Sequence, residues 1–142
     1  MINLNKILNE SNVSSVEYSG LWSIKLSVSN TSAIYDNFPD ITIEFNGGLT
    51  LIHTNEQQVQ LPHNLFNLYG SCVKESSIID EQIEIIFDND IIVRSFCTPD
   101  ELRLVDRCWG ITSTTNRQYL MFSDCYELFI SEEIKKLGTL VL

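Results

Sequence analysis

Two histidines, His53 and His63, stand ten residues apart on either side of a polar stretch, and each is a residue type that ligates metal or acts as a base near neutral pH. No carboxylate or cysteine stands beside them at the helical or hairpin spacing of a first-row metal site, so the pair predicts no metal centre. Asp88 and Asp90 could do acid and base work or bind calcium, yet they fall on a turn between two strand-like runs, where aspartate serves because it tolerates a tight backbone. Serines are numerous, but no Gly-x-Ser-x-Gly elbow and no glycine-rich phosphate cradle occurs. Four cysteines, Cys72, Cys97, Cys108 and Cys125, are spaced 25, 11 and 17 residues apart, without the close pairs of a zinc site. In a reducing compartment they read as small core hydrophobes. An extracellular disulfide framework is the alternative. Taken together these residues predict a protein that is not an enzyme and uses no metal or cofactor.

The elements that carry these residues show a repeat. Ile41, Ile43, Phe45, Leu49 and Leu51 match Ile83, Ile85, Phe87, Ile91 and Val93 at one common offset of 42 residues, and Asn46, Gly47 and Gly48 fall on Asp88, Asn89 and Asp90. Apolar residues at every second position are the mark of a strand with one buried face. Each copy therefore reads as a β-hairpin, and the chain as two similar β units, about 16–54 and 66–96. Trp22, Ile24, Leu26 and Val28 add an earlier strand of the same period, and strand character returns at 69–79, 109–111 and 118–130. Leu4, Ile7 and Leu8 share one face of a short N-terminal helix. Pro62 and Gly70 bracket a further helical turn. Thr98, Pro99 and Glu101 form a capping box that predicts a helix to about Asp106, and Ser131 and Gly138 cap a last one. The expected fold is mainly β, α+β at the margin: an antiparallel sheet or half-barrel with short peripheral helices, in one domain over 1–142.

Composition agrees with that class. With 142 residues, 44% of them hydrophobic and 20% charged, the chain can bury a sizeable core without staples. Its single alanine, Ala33, disfavours a helical bundle. No apolar run approaches the ~20 residues that cross a bilayer, and the first residues lack the basic and apolar segments of a secretion signal, so a cytoplasmic location is expected. The formal net charge of −10, from 19 acidic against 9 basic side chains, repels nucleic acid and anionic membrane and attracts basic partners.

That charge is concentrated. Glu75, Asp80, Glu81, Glu84, Asp88 and Asp90 lie close together, opposed only by Lys74. With Ile83, Ile85 and Phe87 turned inward, Glu84, Ile86 and Asp88 share the outer face, and Ile86 and Ile92 form an apolar centre within the charge. One reading is a solvated face that keeps sheet edges from pairing with other chains. The other is a binding surface for a basic partner, with Glu75, Asp80, Glu81, Glu84, Ile86, Asp88, Asp90 and Ile92 as its contact residues.

A small, acidic, alanine-poor chain with two β-hairpin units resembles the immunity proteins of bacterial contact-dependent growth inhibition and related polymorphic toxin systems, through the Leu68, Tyr69 and Gly70 segment, the 83–93 hairpin and the stretch 101–109. The resemblance implies a cytoplasmic protein that binds one cognate toxin domain tightly and blocks it, without catalysis. A nuclease toxin would fit, since it needs basic residues to hold its substrate. Two other classes of function remain open: a small-molecule-binding β domain with Trp22, Phe45, Phe87, Trp109 and Tyr126 around a cavity, or an assembly subunit that pairs through a sheet edge.

Overall fold

The computed structural model describes residues 1–9, 11–18, 22–27, 40–46, 49–53, 65–96, 107–114, 117–124 and 126–138. Within them the chain is mainly β, as its period-two patterning predicts. Strands β1 (Ile2–Asn3), β6 (Val73–Ile79), β7 (Gln82–Phe87), β8 (Ile91–Ser95) and β5 (Leu49–His53) form one sheet in the order β1-β6-β7-β8-β5. Strands β11 (Leu128–Ile130), β10 (Tyr119–Ser123), β9 (Trp109–Ser113), β4 (Asp40–Phe45), β3 (Trp22–Ser27) and β2 (Asn12–Tyr18) form a second, in the order β11-β10-β9-β4-β3-β2. Every pairing in both is antiparallel.

One core joins the two sheets. Ile41, Ile43 and Phe45 of β4 and Ile83, Ile85 and Phe87 of β7 are buried at alternate positions, and they belong to one cluster with Ile24, Val93, Trp109, Ile111 and Met121. Each such side chain contributes about 1.5–3 kcal/mol by leaving water, and together they fix which way every strand faces. Main-chain and side-chain bonds tie the sheets as well: the Trp109 Nε1–H donates to the Glu81 carbonyl at 2.8 Å, and Asn12 forms an isolated bridge with Cys72. A short helix α1 (Asn5–Leu8) buries Leu4, Ile7 and Leu8 against β6, where Leu4 N–H donates to Ser76 O at 2.9 Å. This is the expected lid, one turn long.

The expected pair of hairpins is half right. The 83–93 copy is a hairpin, with Glu84, Ile85 and Ile86 opposite Arg94, Val93 and Ile92. The 41–51 copy is not. Its first strand, β4, pairs with β3 and β9, whereas its second, β5, pairs with β8 of the other sheet. Asn46 N–H donates to Cys108 O at 2.9 Å, which ties the end of β4 to the start of β9. At the matching position of the other copy, Asp88 N–H donates to Cys72 O at 2.9 Å, and Asp90 N–H closes the turn onto Phe87 O at 3.0 Å. The repeat thus keeps strand pattern and one hydrogen bond while the pairing differs.

Smaller expectations resolve similarly. The Pro62–Gly70 region contains a 3-10 turn, Leu65–Leu68, and the last helix, α2 (Glu132–Leu137), is capped as predicted, with Ser131 Oγ accepting from Ile134 N–H at 3.4 Å and Gly138 left-handed at φ 62°. The capping box at Thr98 and the helix after it lie outside the described residues. Among the described residues no helix is long and apolar enough to cross a membrane.

Candidate functional site

The β6–β7 turn is where the predicted surface assembles. Asp80 and Glu81 both adopt left-handed backbone, at φ 50° and 63°, which is the two-residue turn whose twist suits an antiparallel hairpin. Glu81 holds that shape because its carbonyl accepts the buried Trp109 indole N–H. Ile79, just before the turn, is left 42% exposed.

Three depressions adjoin at the β6–β7 turn, and Ile79 walls two of them. One of about 240 Å³ lies between the N-terminal segment and β6 and β7, lined by Met1, Asn3, Glu75, Ser77, Ile79, Glu84 and Ile86 among others. A second, about 300 Å³, is walled by Ile79, Asp80, Gln82, Glu84 and Arg94. The third, about 650 Å³, is bounded by Met1, Ile2, Ile78, Asp80, Glu81, Glu127 and Leu128. The first two share Ile79 and Glu84, the first and third share Met1, and the second and third share Asp80, so the three form one surface. Carboxylates border it on several sides, and its centre is apolar.

Of the eight residues predicted as contacts, Glu75, Asp80, Glu81, Glu84 and Ile86 line these depressions. Ile92 stands directly across from Ile86 on β8. Asp88 and Asp90 do not join them. They sit in the turn at the other end of β7, six residues or roughly 20 Å away, where Asp88 Oδ1 accepts from Cys72 N–H at 3.1 Å. The charge cluster that looks continuous along the chain is therefore split between two ends of a strand. Glu84 is also not bare: the Arg94 Nε–H donates to its Oε2 at 2.8 Å, and Nη2 reaches the same oxygen. Sequence reasoning missed Met1, Ile79, Arg94 and Glu127. Arg94 was the legible one, because Glu84 and Arg94 are equidistant from Asn89, the centre of the hairpin turn, just as Ile86 and Ile92 are. Glu127 is distant in sequence and reaches the surface only through the packing of the two sheets.

The outer face of the second sheet carries a polar groove of about 520 Å³, lined by Ser15, Glu17, Thr42, Glu44, Thr112, Ser113, Thr114, Arg117 and Tyr119. Beside it runs an aromatic stripe. Phe129 stacks on Phe122 at 4.8 Å between centroids, Arg107 lies over both Phe122 and Tyr119, and the Tyr119 hydroxyl donates to Glu44 Oε2 at 3.3 Å. Burial, then the Glu44 charge, pushes the Tyr119 phenol above its ordinary value, with Arg107 opposing. Tyr119 can lie here because residue 110 is glycine: a Cβ there would meet its ring at 2.7 Å.

The aromatic cavity required by a small-molecule site is not formed by the residues expected for it. Phe45, Phe87 and Trp109 are at most 1% exposed and pack in the core, and Tyr126 is 69% exposed at the surface. They cannot line a common cavity because strand alternation turned the first three inward, as core. Trp22 contributes backbone to β3. Cys108 is buried, as expected of a core cysteine, and Cys72 is only half-buried; Cys97 and Cys125 lie outside the described residues. His53 forms backbone pairs with Ile91, and His63 lies outside the described residues. Among the described residues no three His, Cys, Asp or Glu side chains gather as a metal site would require.

No protein-family model, curated protein or solved structure matches the chain.

Proposed function

We propose that this chain is an immunity-type protein, which binds a basic cognate toxin domain in the cytoplasm and neutralises it by contact, with no chemistry of its own. The reading rests on one observation: exposed Ile79 on the wall of two depressions that adjoin a third at Met1 and Asp80, the three bordered by Glu75, Asp80, Glu81, Glu84 and Glu127. An apolar centre supplies desolvated contact, and the surrounding carboxylates steer a positively charged partner and select its orientation. A nuclease domain is one such partner, because it presents basic residues for its substrate's phosphates.

The test is co-expression with the product of the gene adjacent to this chain's own, followed by co-purification and an assay of that product's toxicity. A complex that weakens as salt rises and abolishes toxicity is expected. A toxin domain that neither binds nor loses activity overturns the reading.

A small-molecule reading has its own support in the polar groove beside Tyr119. It would be favoured by native mass spectrometry that finds a compound carried through purification, lost on Glu44→Ala.

A further inference from the structure

We infer that Arg94 is the anchor of the acidic surface, and that it takes a carboxylate of the protein partner. The inference rests on the docking reading above. It adds a requirement opposite in sign to the surface's overall charge.

Arg94 and Glu84 are cross-strand partners in the middle of the first sheet, beside the matching pair Ile86 and Ile92. The guanidinium places Nε–H and Nη2–H on a single carboxylate oxygen, Glu84 Oε2. That contact occupies one side of a planar group and leaves the end formed by Nη1 and Nη2 for a second carboxylate, in the parallel two-bond geometry that arginine forms best. Exposure follows the same order: the Glu84 side chain is 17% exposed and that of Arg94 is 48%. The carboxylate lies beneath and orients, and the cation lies above and is offered.

An exposed ion pair contributes little to folding. An arginine held in one orientation on paired strands, next to an apolar pair and on the wall of a depression with Ile79 and Asp80, has the features of an interface hot spot. Its ordering is complete before the partner arrives, so less conformational freedom is lost on docking. A basic partner with an Asp or Glu opposite Arg94 is bound. A basic partner without one brings its own positive charge against Arg94 and binds more weakly.

Binding kinetics of the adjacent gene's product to the wild type, Arg94→Ala, Arg94→Gln, Arg94→Lys and Glu84→Gln test this, with far-UV circular dichroism checking each fold. Dissociation should be at least tenfold faster for Arg94→Ala and Arg94→Gln, with Arg94→Lys intermediate because it keeps charge but not the fork. Glu84→Gln, which loosens the orientation, should cost less than Arg94→Ala. Unchanged dissociation in both Arg94→Ala and Arg94→Gln, or merely faster association from the added negative field, overturns the inference while leaving the docking reading intact. Absence of binding by the wild type overturns both.

Discussion

At Glu81 a residue that carries a Cβ occupies left-handed backbone, φ 63°, in a turn that favours glycine at this place. Glu81→Gly should raise stability by about 0.5–1 kcal/mol in a urea titration, since the Trp109 bond goes to the main-chain carbonyl and survives. Gly110 is the reverse case. Its missing Cβ leaves room for a Tyr119 ring held on the other side by Arg107, so Gly110→Ala should cost about 1–3 kcal/mol and disturb tyrosine near-ultraviolet dichroism. Asp124 shows a pH dependence of definite sign. Its carboxylate accepts N–H bonds from Glu127 at 2.7 Å and Tyr126 at 2.9 Å, and these hold it below the ordinary carboxylate range. A depressed folded value stabilises the protein above the unfolded value and is lost as pH falls through the folded one. The advantage of the wild type over Asp124→Asn should therefore be present at pH 7 and shrink in denaturation curves taken below about pH 4.

Among the elements, β7 shows what period two can and cannot reveal. Ile83, Ile85 and Phe87 are buried as their spacing predicts, and Glu84 and Ile86 face outward. Ile85→Ala should cost about 2–5 kcal/mol, against under about 1 kcal/mol for Ile86→Ala on the half-buried outer face; equilibrium unfolding in urea separates them. Alternation fixes the face of a strand but carries no information on which neighbour it joins. That is why β4 and β5 were legible as strands and illegible as members of different sheets: β4 pairs with β3 and β9, and β5 with β8, so the partners β8 and β9 lie far along the chain. β2 escaped notice because Asn12–Tyr18 is polar at most positions: it is a sheet edge, and little of it is buried. Charge is subject to the same limit. Asp88 and Asp90 are near Glu84 in sequence, but a strand is long for its residue count and carries them to its other end.

For the whole molecule, the proposed docking requires that negative charge act where it borders Ile79, and not wherever it is dense along the chain. The net charge of −10 alone would give every carboxylate a similar share in attracting a basic partner. Rapid-mixing measurement of association with the toxin domain distinguishes the two. In one variant Glu75→Gln, Asp80→Asn and Glu81→Gln are combined, which removes charge and keeps side-chain shape. In the other, Asp88→Asn and Asp90→Asn remove charge at the far turn. The account predicts that at low salt the first variant associates at least several-fold more slowly, the second nearly as fast as the wild type, and that the difference closes at high salt. Equal slowing per charge removed in both, or no slowing in the first, would contradict it.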